Sequence, residues 1–136
     1  MIYSLDTNVC IALINGSSHK ARGQFIQAVL AQTELTVCSV ALHELWYGVA
    51  KSKRVDANGQ KLTEFLSRDL KILHFSEQDA QVAGDIRAQL ERRGKRIGEY
   101  DTLIAGQALA RGLTLVTANT REFSRVDGLK LVDWTV

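Results

Sequence analysis

Short aliphatic runs alternate with longer helix-period segments along the whole chain, and this alternation limits the possible folds more than any other feature. Ile2 to Leu5, Leu35 to Val40, Leu70 to Phe75, Leu113 to Thr117 and Leu129 to Trp134 read as strands. Between them, apolar residues recur three and four apart, the spacing of one helical face. Strands joined through helices have room to run parallel, and a parallel sheet is covered on both faces. The expected architecture is one α/β domain over residues 1–136, with about five mostly parallel strands.

The intervening segments read as helices. Val9 to Ile14 is the first, closed by Asn15-Gly16. Residues 19 to 32 place Phe25, Ile26, Val29 and Leu30 on one face. Leu42, Leu45, Trp46 and Val49 form the stripe of the next, with Ser39 a possible cap. Residues 55 to 68 turn Leu62, Phe65 and Leu66 inward. Ser76, with Asp79 three residues on, has the form of a capping box opening a helix that runs to Gly94. Another helix lies between Gly98 and Gly112, and Ala118 to Phe123 reads as a loop or a short helical turn. The chain contains no proline, so nothing interrupts these helices.

A hydrophobic fraction of 46% supplies one ordinary core and argues against disorder. The formal net charge of +2 permits nucleic-acid binding without announcing it. Cys10 and Cys38 sit in apolar surroundings and read as buried thiols rather than a disulfide. No apolar run has membrane-spanning length, and the start lacks the pattern of a secretory leader. A soluble, cytoplasmic protein is the expectation.

Asp6 marks where chemistry would sit. It stands where the first strand hands over to a helix, and open parallel sheets bind ligands along that carboxyl edge. Motifs for other kinds of catalysis are absent from the chain. There is no Gly-x-Ser-x-Gly elbow, no Gly-rich phosphate loop with its lysine, and no Cys/His set at zinc spacing. His19, His43 and His74 read as structural or solvated. What remains are acids near strand ends or helix starts: Glu44, Asp101 and Glu122, with Asn119 beside the last. Any one of them alone is explained by helix capping or dipole compensation. Glu44 fits that explanation least, because it interrupts an apolar helix.

Acids gathered in one place repel one another, and a cation resolves the repulsion. An all-oxygen donor set suits Mg²⁺ or Mn²⁺. Such an ion supports phosphodiester hydrolysis without histidine or a covalent intermediate. Glu99 is a candidate for the rim of the site. Basic clusters flank the acids: Lys51, Lys53 and Arg54; Arg92, Arg93, Lys95 and Arg96; Arg121 and Arg125. An acidic pocket with basic rims suits a phosphate-backbone substrate. Three other readings stay open on the residues alone. They are a metal-dependent DNA nuclease or phosphatase, a non-catalytic module whose acids receive a partner's arginines, and an α/β domain with capping acids only.

Several stretches together carry a resemblance: Leu5-Asp6-Thr7-Asn8, Ser39 to Leu45 with Gly48, Ile97 to Ala105, Val116 to Phe123, then Gly128-Leu129 and Trp134. In this order and spacing the chain resembles the PIN-domain ribonucleases, and among them the VapC toxins of bacterial toxin–antitoxin pairs. The resemblance implies a three-layer α/β/α sandwich and a Mg²⁺- or Mn²⁺-dependent endoribonuclease. It implies that Asp6, Glu44 and Asp101 are the core metal-holding acids, that Glu122 completes the site, and that Thr7, Asn8, Ser39, Thr117 and Asn119 support it. It also implies partners: structured RNA, with a leaning toward the anticodon stem-loop of initiator tRNA; a VapB antitoxin; a second copy in a homodimer; and operator DNA in the larger complex. One position departs from the pattern. Glu99 stands where many such toxins have proline, which adds negative charge at the mouth of the site.

Overall fold

In the computed structural model, which describes residues 1–136, β1 (Ile2–Leu5) ends on Asp6 and passes at once into α1 (Thr7–Asn15). α2 (His19–Leu30) leads to β2 (Glu34–Cys38), and α3 (Ser39–Ala50) and α4 (Val55–Leu66) to β3 (Leu70–Leu73). Then come α5 (Glu77–Arg92), α6 (Glu99–Arg111), β4 (Thr114–Val116), the single turn α7 (Thr120–Phe123) and β5 (Lys130–Val132). The result is a three-layer α/β/α sandwich.

The strands lie in the order β3-β2-β1-β4-β5, and every neighbouring pair is parallel. Tyr3 is in register with Leu35 on one side and Thr114 on the other. β1 is therefore central, with β2 and β3 to one side and β4 and β5 to the other. The strand order reverses at β1, which opens a crevice at its carboxyl end. Central strands of a parallel sheet are apolar on both faces, and Leu5, Val37, Cys38, Leu115 and Val116 are all fully buried. Cys10 and Cys38 are free and buried, as expected. No helix is long and apolar enough to cross a membrane.

α5 and α6 pack against each other along their length. Gly106 is the reason they approach so closely: a Cβ there would lie 2.6 Å from the Ala83 Cβ and 2.8 Å from its Cα. The ends of the pair are tied by Asp79, which is buried. Its carboxylate takes 3.2 and 2.9 Å bonds from the Arg111 Nε and Nη2, and a 3.1 Å bond from the Gln107 Nε2. Asp79 also closes the Ser76 capping box, so one carboxylate serves both the start of α5 and the end of α6.

Two local expectations are corrected. Ser39 is not a cap, because the helix already includes it and Cys38 occupies the cap position. The faces of α2 and α3 are narrower than the apolar pattern suggested. α2 packs through Ala21 and Ala28 with Phe25 and Val29, leaving Ile26 and Leu30 exposed, and Trp46 of α3 is 41% exposed.

Candidate active site

Asp6 sits at the switch point of the sheet. Its N–H donates to the Val116 carbonyl at 3.1 Å, joining the ends of β1 and β4. Its side chain caps α1, with Oδ1 accepting the Val9 N–H at 2.8 Å. Only 4% of Asp6 is exposed. Burial pushes its carboxyl above the ordinary value; hydrogen bonding from Thr117 and Val9 opposes this, and the charges of Glu44 and Asp133 add to it.

Glu44 lies in the second turn of α3, half-buried. Thr7 donates to its Oε1 at 2.7 Å, so the first residue of α1 fixes the acid on α3. Asp101 lies in the first turn of α6, where Gly98 opens the helix. Its carboxyl is pushed up to about 6, first by burial and then by the charges of Glu44, Asp6 and Glu122. Glu122 belongs to α7 and its Oε2 accepts from Asn119 Nδ2 at 3.0 Å. The Asn119 N–H in turn donates to Thr117 Oγ1 at 2.9 Å. Thr117 thus connects the Asp6 side of the pocket with the Glu122 side.

Four acids from four separate segments therefore share one electrostatic neighbourhood. As they stand, no three His, Cys, Asp or Glu side chains form a ready-made cage for a metal ion. That spacing does not conflict with the ion expected. Mg²⁺ usually takes one or two protein carboxylates and keeps several waters. The donor chemistry fits such an ion: hard oxygens only, with a buried acid and a half-buried acid each held above its ordinary pKa.

The other expected residues are placed less uniformly. Thr7, Thr117 and Asn119 are bonded into the pocket as above. Ser39 instead accepts the Phe75 N–H at 3.0 Å, linking α3 to the segment after β3. Asn8 is exposed and its side chain makes no hydrogen bond to the acids. Glu99 is exposed at the first position of α6. Arg92, Arg93, Lys95 and Arg96 are exposed around the α5–α6 connection.

One acid was missed by reading the sequence. Asp133 raises the Asp6 carboxyl and is held by Thr135, whose N–H and hydroxyl reach its Oδ1 at 2.8 and 2.6 Å. β5 stops at Val132, so Asp133 follows β5 as Asp6 follows β1. The signal was present, but reading the strand through to Trp134 concealed it.

Comparison with known proteins agrees with this architecture. Residues 3–129 match the family model described as PIN domain. The chain is 41% identical over 133 residues to the tRNA(fMet)-specific endonuclease VapC of Shigella flexneri, covering 98% of each chain. It is 41% identical over 134 residues to ribonuclease VapC2 of Rickettsia felis, again covering 98% of each. The solved VapBC2 complex of Rickettsia felis bound to a promoter DNA fragment contains a chain that superposes with a TM-score of 0.92 at 40% identity, covering 98% of this chain and 99% of that one. On the family model and on these full-length relatives, the chain belongs to the PIN-domain family.

Proposed function

We propose that this protein is the toxin of a VapBC-type pair, a divalent-metal-dependent endoribonuclease working as a single catalytic domain. The observation that carries the reading is the convergence of Asp6, Glu44, Asp101 and Glu122 at the switch point of the sheet, where their charges act on one another. In this reading Asp6 and Asp101 hold Mg²⁺ or Mn²⁺, with Glu44 and Glu122 completing the set directly or through water. The ion, when bound, neutralises charge on the phosphodiester and lowers the pKa of a water.

The chain's own residues do the rest. Asp6 is oriented by its capping bond from the Val9 N–H. In this reading Glu44, oriented by Thr7, accepts a proton from the attacking water. Asn119 orients Glu122. Asp133, whose charge acts on Asp6, adds to the negative potential that draws a cation in.

The substrate class is RNA, and tRNA is favoured by the name of the Shigella flexneri relative. The proposed protein partner is an antitoxin. A groove of about 220 Å³ beside Glu44 is lined by Ile11, Ile14, Leu45 and Val49, with Trp46 and Tyr47 exposed nearby. An antitoxin segment seated there would reach the acids. A homodimer and a promoter-bound assembly with the antitoxin belong to the same reading; the solved Rickettsia felis VapBC2 structure, bound to a promoter DNA fragment, supports the second of these.

The test is cleavage of tRNA, other RNA, DNA and small phosphate esters in magnesium buffer by the wild type and Asp6→Asn. The reading expects cuts in RNA by the wild type alone, abolished by chelation. Equal cleavage by both proteins, or hydrolysis of DNA or esters in preference to RNA, would overturn it.

A further inference from the structure

The acidic pocket creates a difficulty for its proposed substrate: carboxylates at the sheet edge repel an approaching phosphate backbone. Beside them the fold assembles the opposite charge. The α5–α6 connection brings Arg93, Lys95 and Arg96 together with Arg121 and Arg125, from α7 and the residues just after it, around one open basin. No hydrophobic residue lines it, and Asp127 is the only acid. Asp127 pairs with Arg93 at 3.0 Å, while Lys95, Arg96, Arg121 and Arg125 have no ion-pair partner.

Scattered surface cations mostly just solvate, but three features separate this basin from that case. Its two walls lie more than twenty residues apart in sequence, so the fold brings them together. One guanidinium is held in place: Arg125 Nη1 donates to the Arg96 carbonyl at 2.9 Å across the two walls. Each wall also runs directly into a site acid. The connection leads through Gly98 to Asp101, and Arg121 adjoins Glu122 on α7. Each wall is thus only a few residues along the chain from one of the two acids, Asp101 and Glu122, whose charges act on each other.

We propose that this basin binds the RNA phosphate backbone next to the scissile bond, offsetting the repulsion of the acids and setting the strand's path across them. This rests on the ribonuclease reading. It makes Lys95 and Arg121 positioning residues, since neither is required to touch the reacting phosphate.

The test compares Lys95→Ala/Arg121→Ala with Lys20→Ala/Arg68→Ala, an equal loss of charge from exposed cations outside the basin. Neither Lys95 nor Arg121 donates a side-chain hydrogen bond, so the fold does not depend on them. Binding of a fluorescent RNA stem-loop is measured in EDTA across a salt series, and cleavage of the same RNA in magnesium. The basin variant should lower the slope of log affinity against log salt by about 1.4 to 1.8, as two lost phosphate contacts require, and the control should not. It should raise KM while leaving kcat near that of the wild type. Equal slopes for the two variants would overturn the proposal. So would unchanged RNA binding with lost inhibition by the antitoxin, which would assign the basin to the protein partner. If the wild type cuts no RNA while the basin variant still loses affinity in EDTA, the nuclease reading fails and the basin stands as an RNA site.

Discussion

The Thr7 hydroxyl donates to Glu44 Oε1 at 2.7 Å, joining residues 37 positions apart in the chain. Through this bond the start of α1 orients an acid on α3 that would otherwise be a flexible side chain at the edge of an apolar groove. Thr7→Val keeps the shape and removes the donor. Losing a group that orients a metal-site acid typically costs about 10- to 100-fold. We expect kcat/KM to fall within that range while stability falls by about 1 kcal/mol or less. Steady-state cleavage and urea denaturation of the same preparation check both parts, and unchanged kcat/KM would show that Glu44 needs no such support.

Asp79 is the second carboxylate on which the architecture depends, and its role is separate from catalysis. Burial presses its carboxyl upward, but Arg111, the Ser76 N–H and Gln107 outweigh burial and leave it below its ordinary value of 3.8. A depressed folded pKa gives a contribution that is present above the ordinary value and is lost as pH falls through the folded one. Asp79→Asn should therefore cost about 1–3 kcal/mol at neutral pH. The gap from wild type should close at low pH. Denaturation midpoints over a descending pH series test this, and a constant gap would contradict it.

Gly106→Ala should destabilise the protein even though alanine favours helices by up to about 1 kcal/mol over glycine. The added Cβ meets Ala83 at 2.6 Å, including backbone atoms that cannot rotate aside. Overpacking of this kind costs about 1–3 kcal/mol. Because α6 carries Asp101, metal affinity should weaken along with the melting temperature. A more stable Gly106→Ala protein would mean that α5 and α6 have room between them at this crossing.

Much of this structure was legible in the sequence, for identifiable reasons. Buried strands declare themselves by aliphatic content, and the Ser76–Asp79 spacing fixes a helix start through a local hydrogen bond. Asp6 was legible because a carboxylate between a strand and a helix can occupy few places in a parallel sheet. Helical faces were legible only in outline. Phe25, Ile26, Val29 and Leu30 all look inward by spacing, yet α2 meets the core through the arc of Ala21, Phe25, Ala28 and Val29 and leaves Ile26 and Leu30 exposed. Asp133 was hidden by a strand boundary. The Thr7–Glu44 bond and the Arg125–Arg96 contact span long sequence separations and leave no local signature.

If acids from separate segments jointly take one divalent cation, Mn²⁺ binding must depend on each of them. Calorimetric titration of the RNA-free protein should give saturable binding to the wild type, and each of Asp6→Asn and Asp101→Asn should weaken it by at least about tenfold, the lower end of what disturbing even an outer-shell partner costs. Equal binding by all three proteins, or no saturable binding by the wild type, would rule out a shared metal site.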